Sequence, residues 1–525
     1  MTIATLGDIT RKHALQRPEK TALTYVQTAE DDAHRSWTFA ELDAEANRIA
    51  NALLGEGVAP GERIAYLDKN TPEYFLYLLG GAKANAVSVA VNWRLAVPEM
   101  EYILNNAEAR VILVGEEFLP ALAQMDLMVV EKIVVIGDPG ASGHQSFEQW
   151  LSDRSAADPR VPVAPEDVVY QLYTSGTTGL PKGVEITHAN FVHAMTASME
   201  NQQFDADSLN LVCMPFFHIS GSGWGLIGMY HGAGSVMLRE VNLDLILDVI
   251  PAFGVTHALF VPAVLQFLLG LPKCRQTDFS TLRNITYGAS PITEAVLVEG
   301  MEVFGCDFIQ VYGLTETTGG ITALAAADHD PGGPRAYLLR SCGEPIRNHE
   351  VSIFDADTLE PLPEGEVGEI WIRGPQIMRG YWKNAKATAE SIRSDGWFRS
   401  GDAGYMREGY LFIHDRVKDM IISGGENVYP AEIENVLMRH DGIADAAVIG
   451  VPSERWGETV KAIVTRSDDS LTEQEVIEHC RRYLAGYKCP TSVDWMDTIP
   501  RNPSGKILKV ELRKPYWAGK DRQVS

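Results

Sequence analysis

A loop rich in glycine and hydroxyl side chains gives the first chemical signal in the sequence. It follows an apolar run that predicts a strand over 168–173, and it extends over 173–183. Glycines let backbone N–H groups approach an anion, hydroxyls donate to phosphate oxygens, and a lysine adds positive charge. It is not a Walker A loop, because its lysine precedes the last glycine. A phosphate-binding turn is predicted rather than a solvated turn, with candidates Thr174, Ser175, Gly176, Thr177, Thr178, Gly179 and Lys182.

Seven further short motifs follow this loop along the chain. They are Pro-Phe-Phe-His at 215–218, Tyr-Gly-Ala-Ser-Pro at 287–291, Gln-Val-Tyr-Gly-Leu-Thr-Glu-Thr at 310–317, Ser-Gly-Asp at 400–402, Asp-Arg-Val-Lys-Asp at 415–419, Gly-Gly-Glu-Asn-Val-Tyr-Pro at 424–430 and Pro-Ser-Gly-Lys at 503–506. Together with the loop, they resemble the adenylate-forming superfamily, and within it the acyl-CoA synthetase or fatty-acid–CoA ligase family. The resemblance covers essentially the whole chain.

The resemblance implies two half-reactions and a set of residues for the first. A carboxylate attacks the α-phosphate of ATP to give acyl-adenylate and pyrophosphate, and a thiol, usually that of coenzyme A, then displaces AMP. Because the first step joins two anions, it needs charge neutralisation and positioning rather than a protein nucleophile. The implied catalytic residues are Lys506, Glu316, Thr315 and His218. Mg²⁺ prefers hard oxygen ligands, and the implied metal ligands are Glu316 and Thr174.

The same resemblance assigns residues to the nucleoside. Tyr312 is expected to stack on adenine, and Gly288 and Gln310 to contact the base through their backbone. Asp402 is expected to accept both ribose hydroxyls, with Arg416 beside it.

Coenzyme A is the expected second substrate. Gly424 and Gly425 would line a tunnel for its thin pantetheine arm, and Trp456 would stack on its adenine. Lys488 could meet its phosphates, whereas Cys489 occupies a position where some relatives carry a second basic residue.

The apolar patterns predict how these motifs are positioned. Strands and helices alternate over the first 136 residues, and Thr38 is placed to cap a helix over 39–54. Residues 137–165 predict a surface excursion, residues 340–415 are rich in short strands, and a compact α/β pattern follows 419, with a helix predicted over 472–484. The predicted fold class is α/β, with a large multi-subdomain N-terminal domain of two α/β sheets plus a small β-rich subdomain and a smaller, mobile α+β C-terminal domain. The expected domains are 1–417 and 418–525, with a hinge at Lys418.

The amino-acid composition limits the classes of partner and the cellular compartment that are expected. The 525 residues carry 45 Lys and Arg against 70 Asp and Glu, a net charge of −25, which disfavours nucleic acid. The six scattered cysteines are typical of a reducing compartment, and no apolar stretch is long enough to span a membrane, so a cytoplasmic protein is expected. A homo-oligomer is compatible with the sequence.

The acid is less well defined. Phe217 and His218 stand where amino-acid-activating relatives carry an aspartate, which disfavours a buried ammonium group. A medium- or long-chain fatty acid is the preferred substrate, and an aryl acid of the benzoate or cinnamate type is the alternative. Three other activities stay open: an acyl-AMP ligase that loads a carrier protein, a luciferase-like oxygenase, and a nucleotide-binding protein without turnover.

Overall fold

A computed structural model describes most of the chain. The described residues are 1–28, 34–174, 180–290, 292–355, 358–416, 419–423, 426–453, 456–501 and 506–518. Several predicted site positions lie outside them: Ser175, Gly176, Thr177, Thr178, Gly179, Gly424, Gly425 and the expected hinge Lys418. For Arg416, the backbone alone is described.

Helices occur along the whole described chain. They are α1 (Gly7–Gln16), α2 (Phe39–Gly55), α3 (Pro72–Lys83), α4 (Val97–Ala107), α5 (Leu119–Leu122), α6 (Phe147–Leu151), α7 (His188–Ala197), α8 (Met199–Gln202), α9 (Ile219–His231), α10 (Leu243–Phe253), α11 (Pro262–Leu269), α12 (Glu294–Phe304), α13 (Ala385–Ser391), α14 (Pro430–Leu437), α15 (Glu473–Arg481) and α16 (Lys509–Trp517). In the described ranges, no helix has both the length and the apolarity needed to cross a bilayer.

Strands alternate with these helices. They are β1 (Thr21–Val26), β2 (Arg35–Thr38), β3 (Arg63–Leu67), β4 (Val87–Ala90), β5 (Ala109–Gly115), β6 (Lys132–Ile136), β7 (Gln145–Ser146), β8 (Val168–Thr174), β9 (Lys182–Thr187), β10 (Leu209–Val212), β11 (Gly234–Leu238), β12 (His257–Phe260), β13 (Asn284–Gly288), β14 (Asp307–Leu314), β15 (Gly319–Leu324), β16 (Glu344–Pro345), β17 (Glu350–Phe354), β18 (Gly368–Arg373), β19 (Gly380–Tyr381), β20 (Phe398–Arg407), β21 (Tyr410–Arg416), β22 (Ile421–Ser423), β23 (Glu426–Val428), β24 (Ile443–Ser453), β25 (Gly457–Arg466) and β26 (Ser492–Trp495).

These strands form four sheets. A nine-stranded sheet has the order β16-β15-β14-β13-β12-β10-β11-β1-β2, and an eight-stranded sheet has the order β19-β9-β8-β4-β3-β5-β6-β7. The central strands of both are parallel, as expected where helices cover a sheet. A four-stranded antiparallel sheet, β17-β18-β20-β21, follows, and after residue 419 a fourth sheet joins β22 to β26. The predicted fold class is confirmed.

Local signals explain where most elements begin. The Thr38 hydroxyl accepts from the Glu41 backbone N–H, and the Glu41 carboxylate accepts from the Thr38 N–H, so a capping box begins α2 where the sequence predicts it. The helix predicted over 472–484 begins after its Thr472 cap but ends at Arg481, where the chain turns. The expected surface excursion over 137–165 contains α6, because Phe147, Trp150 and Leu151 are buried in the main core.

The sheet topology positions the site. The parallel strands β8, β13 and β14 end at Thr174, Gly288 and Leu314, and the carboxyl ends of such strands are where ligands bind in open α/β sheets. Among the described site residues, Thr174, Gly288, Thr315 and Glu316 lie at or just beyond these ends.

Candidate active site

The two ends of the phosphate-loop candidate are held by a strand ladder. Thr174, the last residue of β8, pairs with Lys182, the first residue of β9. The Lys182 ammonium lies 4.9 Å from the centre of the Tyr381 ring, and Tyr381 pairs with Val184 of β9. This ladder therefore fixes the hydroxyl and the ammonium at the base of the loop.

Glu316 is joined to the same ladder by a hydrogen bond. The Tyr381 hydroxyl donates to Glu316 Oε1 at 3.0 Å, and the Met378 backbone N–H donates to the Glu316 carbonyl oxygen at 2.8 Å. Burial, followed by the nearby Glu316 charge, raises the pKa of Tyr381 above its usual value. The phenol therefore stays protonated and is a constant donor to the carboxylate.

The carboxylate fits a magnesium ion better than a transition metal. Glu316 offers a hard, half-buried oxygen, and no group of three or more His, Cys, Asp or Glu side chains able to hold a metal occurs within the described ranges. Mg²⁺ usually takes one or two carboxylates and completes its shell with phosphate oxygens and water. The preceding Thr315 lies on the same short turn, where its carbonyl accepts from the Thr318 N–H.

The predicted nucleoside residues come together between two sheets. The Tyr312 hydroxyl donates to Asp402 Oδ2 at 2.7 Å, joining β14 to β20. Burial raises the pKa of Tyr312 well above its usual value, with the Asp402 charge next. Asp402 lies directly opposite Arg416 on the β20–β21 ladder. The backbone N–H of Asp402 also donates to Ser400 Oγ at 3.0 Å, which fixes the turn.

Gly288 and Gln310 lie on neighbouring strands of the nine-stranded sheet. A Cβ atom at Gly288 would fall 2.1 Å from the Val311 carbonyl oxygen, so β13 and β14 approach this closely because residue 288 is glycine. The Gln310 amide nitrogen contacts Cys342 Sγ at 3.5 Å. Both residues are therefore placed at the end of the sheet, near Tyr312.

The charge of Lys506 acts on His218 although the two residues are 288 positions apart in the chain. His218 is the residue before α9 and is half-buried. Burial, then the charges of Lys506 and Arg94, lowers the pKa of His218 to about 4, so the imidazole is neutral at physiological pH. A charge from the C-terminal part of the chain therefore acts on the residue before α9.

A cavity of about 130 Å³ begins next to His218. It follows α9 from Ile219 to Ile227, a helical length of about 12 Å. Most of its lining is apolar or glycine. Its walls include Phe191, Ala194, Met195, Ser198, Asn201 and Gln202 near α7 and α8, Ile219, Ser220, Gly223, Trp224 and Ile227 on α9, and Leu259, Thr286, Gly288, Ala289, Val311, Gly313, Gly319, Gly320 and Thr322 on the sheet.

Family models match most of the chain. One, described as AMP-binding enzyme, matches residues 10–382, and a second, described as AMP-binding enzyme C-terminal domain, matches residues 432–506. The chain belongs to the AMP-binding enzyme family. The resemblance found in the sequence is therefore confirmed, and so is the prediction of an adenylate-forming acid ligase.

Relatives of this AMP-binding enzyme match it over at least 94% of its length. The fatty acid–[acyl-carrier-protein] ligase ScoC of Streptomyces coeruleorubidus is 41% identical, with 94% of each chain covered. Feruloyl-CoA synthase of an Amycolatopsis species is 36% identical, over 97% of this chain and 99% of the relative. The ATP-bound crystal structure of MatB from Rhodopseudomonas palustris superposes with a TM-score of 0.89 at 28% identity, covering 98% of this chain and 99% of that one. ATP is therefore supported as the nucleotide.

The residues expected at coenzyme A differ in their surroundings in the AMP-binding enzyme. Trp456 is 46% exposed on the C-terminal part. The Lys488 ammonium forms an ion pair with Glu432 at 2.7 Å. Cys489 is buried, and its Sγ lies 3.5 Å from the Ala485 carbonyl oxygen, so its side chain packs in the core rather than facing a ligand.

Tyr381 is the functional candidate that the sequence analysis misses. Its strand, β19, has two residues, which is too short for a periodic signal. The Gly-Tyr-Trp triplet at 380–382 is the one signal in the sequence, because a glycine followed by two aromatic residues is unusual in a surface turn.

Proposed function

We propose that this AMP-binding enzyme joins a carboxylic acid to coenzyme A through an acyl-adenylate, with ATP and Mg²⁺, releasing pyrophosphate and then AMP. The observation that carries the proposal is a largely apolar cavity that begins at Ile219, next to His218, on which the charge of Lys506 acts. The acid's apolar part would enter the cavity while its carboxylate stays at this mouth.

The first half-reaction follows from the charges at the mouth. A carboxylate oxygen forms a bond to the α-phosphorus as the bond from that phosphorus to the bridging oxygen breaks, and pyrophosphate leaves with the electron pair. Lys506 would stabilise the negative charge that collects on the α-phosphate, and neutral His218 would not repel this ammonium as an imidazolium would. Bound to Glu316, Mg²⁺ would neutralise the leaving phosphates. Tyr381 would orient that carboxylate.

The nucleotide would be positioned by the pair that joins β14 to β20. Asp402 would accept the ribose hydroxyls, and Tyr312, fixed by its hydrogen bond to that carboxylate, would present its ring to adenine. Such positioning contributes by holding the α-phosphorus in line with the carboxylate.

The second half-reaction requires a thiol at the same carbonyl carbon. The sulfur forms a bond to that carbon, the bond to the AMP oxygen breaks, and the thiol proton passes to solvent. We propose domains over 1–417 and 418–525 that exchange Lys506 for Gly424 and Gly425 by rotation about Lys418, with Trp456 on the coenzyme's adenine. The exposed Trp456 ring supports this assignment.

The dimensions of the cavity limit the size of the acid that it can hold. A length of about 12 Å along α9 and a wall that includes Trp224 favour a medium-chain or aryl acid over a long-chain one. The names of the two relatives span both classes, a fatty acid and ferulate. Cytoplasmic location and self-association stay predictions.

A carrier protein is the second candidate acceptor. Lys488 is neutralised by Glu432 and Cys489 is buried. The two positions expected near the coenzyme A phosphates therefore supply little positive charge to bind them. A carrier protein presents pantetheine without the coenzyme's adenosine phosphates. The relative at 41% identity is named for this acceptor.

Acid-dependent exchange of labelled pyrophosphate into ATP tests the first half-reaction. A panel of acids graded by chain length and ring content is expected to include efficient substrates, and complete absence of exchange would refute the proposed function. Product analysis with coenzyme A or a carrier protein then identifies the acceptor. A thioester formed with coenzyme A supports the main proposal, and one formed with the carrier protein alone supports the second candidate.

A further inference from the structure

The far part of the cavity contains buried oxygen atoms that lack hydrogen-bond donors. Gln202 is 6% exposed and Thr286 is 1% exposed, and both line the cavity. Within the described part of the chain, neither Gln202 Oε1 nor Thr286 Oγ1 has a hydrogen-bond partner. A buried polar atom left in this state costs about 1–3 kcal/mol, so these two atoms require explanation.

The strand register places two more such atoms directly behind them. Asn284 and Thr286 lie on the same face of β13, and Asn210 of β10 is in line with Asn284 through His257 of β12. Asn210 and Asn284 are fully or almost fully buried, and the Oδ1 atom of each lacks a donor among the described residues.

The orientation of both asparagine amides is fixed by their nitrogens. Asn284 Nδ2 donates to the Gln202 carbonyl oxygen at 2.8 Å, and Asn210 Nδ2 donates to the Trp224 carbonyl oxygen at 3.1 Å. Rotating either amide by 180° would set two oxygens against each other, so these Oδ1 atoms are true acceptors. The amide oxygens of the region therefore call for hydrogen-bond donors, and the Thr286 hydroxyl can both donate and accept.

This polar region lies further along α9 than His218, because Asn210 Nδ2 donates to the carbonyl oxygen of Trp224, six residues after His218. Along β13, Thr286 is about 7 Å from Gly288, and Asn284 about 13 Å from it, at about 3.3 Å per residue. Gln202 lies at the end of α8, beyond the last turn of α7. An acid whose carboxylate is at the mouth would thus place its opposite end between Gln202 and Thr286.

We propose that the acid carries a hydroxyl group at its end remote from the carboxylate, and that Gln202 and Thr286 determine this specificity. The hydroxyl donates to Gln202 Oε1, and its oxygen accepts from the Thr286 hydroxyl. An ammonium group fits less well, because the described lining contains no carboxylate. The inference rests on the proposed function, since it takes Lys506 as the carboxylate end.

Matched pairs of acids test the proposal. 4-Hydroxycinnamic and 4-methylcinnamic acids differ by a hydroxyl and a methyl group of similar size, and 8-hydroxyoctanoic and nonanoic acids give the same comparison without a ring. The ratio of kcat/KM for hydroxyl against methyl acid, from pyrophosphate exchange, is expected to be at least tenfold for one pair. A site that bonds a hydroxyl rejects the analogue lacking it, because its own polar groups stay unpaired.

Thr286→Val and Gln202→Leu remove the polar atoms while nearly keeping side-chain shape. Each is expected to lower the ratio at least fivefold, mainly by lowering kcat/KM for the hydroxyl acid. Thr196→Val, an exposed substitution on α7 outside the cavity lining, is the matched control and should keep the ratio. A wild-type ratio of one or less for both pairs, or a ratio unchanged in both cavity variants, would overturn the proposal.

Calorimetric binding of the same acids separates this inference from the proposed function. If no acid supports exchange but the hydroxyl acids bind at least tenfold more tightly, the specificity stands and the proposed reaction fails. If exchange occurs with an equal response to both members of each pair, the reaction stands and the specificity fails.

Discussion

Replacing Tyr381 by phenylalanine isolates the single hydroxyl that holds Glu316. The substitution removes the donor 3.0 Å from Glu316 Oε1 and keeps the ring that faces Lys182. A hydrogen bond to a charged group contributes about 1.5–3 kcal/mol, and about 1.4 kcal/mol corresponds to a tenfold change in an equilibrium constant. If this hydroxyl orients the metal-binding carboxylate, the Mg²⁺ concentration giving half-maximal activity should rise by about 10- to 100-fold.

The assay is pyrophosphate exchange at saturating ATP and acid over a range of free Mg²⁺. The rate at saturating Mg²⁺ should return close to the wild-type value, because the ligand is displaced rather than removed. Tyr337→Phe is a suitable control, since the Tyr337 hydroxyl bonds Glu408 on the surface. An unchanged Mg²⁺ requirement in Tyr381→Phe, or a loss of activity that Mg²⁺ does not restore, would refute this role of the hydroxyl.

Three further predictions concern other parts of the site. Lys506→Ala should suppress pyrophosphate exchange while leaving thioester formation from supplied acyl-adenylate largely intact, and equal loss of both would contradict the assigned role. Gly288→Ala should lower the free energy of unfolding in urea by about 1–3 kcal/mol, because its Cβ would meet the Val311 carbonyl oxygen, whereas Gly486→Ala, in open space, should not. The pKa of His218 is about 4 in the folded protein, against about 6.5 in the unfolded chain. As the pH falls from about 6.5 to 4, the unfolded chain binds a proton that the folded protein does not, so the free energy of unfolding decreases. Over that pH range, the free energy of unfolding of His218→Gln should therefore decrease by about 3 kcal/mol less than that of the wild type, as measured by urea unfolding at both pH values.

The parts of the fold that depend on local signals could be predicted from the sequence. The Thr38 cap and the apolar spacing after it predict α2 to within one residue of its end at Gly55. The residue types of the phosphate loop and of the later motifs are likewise local. Elements too short to repeat a pattern could not be predicted, and the five-residue α6 is an example because its burial depends on the core that receives it.

Contacts between distant segments account for what the sequence missed at the site. The bond between Tyr381 and Glu316 exists because β19 pairs with β9, and nothing near either residue indicates that pairing. The sequence gives only the position of Cys489 in the chain, whereas its burial follows from the packing of the C-terminal sheet against α15. The unpaired oxygens at and behind the cavity come from α8, β10 and β13, so the register had to be known before they could be grouped.

The parallel pairing of β1 with β11 means that the first forty residues supply the neighbouring strand for one that lies about two hundred residues later in the chain. Leu23 lies opposite Ser235, and β2 then closes the sheet with a short edge strand. A shortened protein starting after residue 38 would leave the N–H and C=O groups along that side of β11 unpaired, and such an open border promotes association between molecules. Expression designs that trim the amino terminus should therefore yield aggregated material even though every residue of the catalytic cleft is retained.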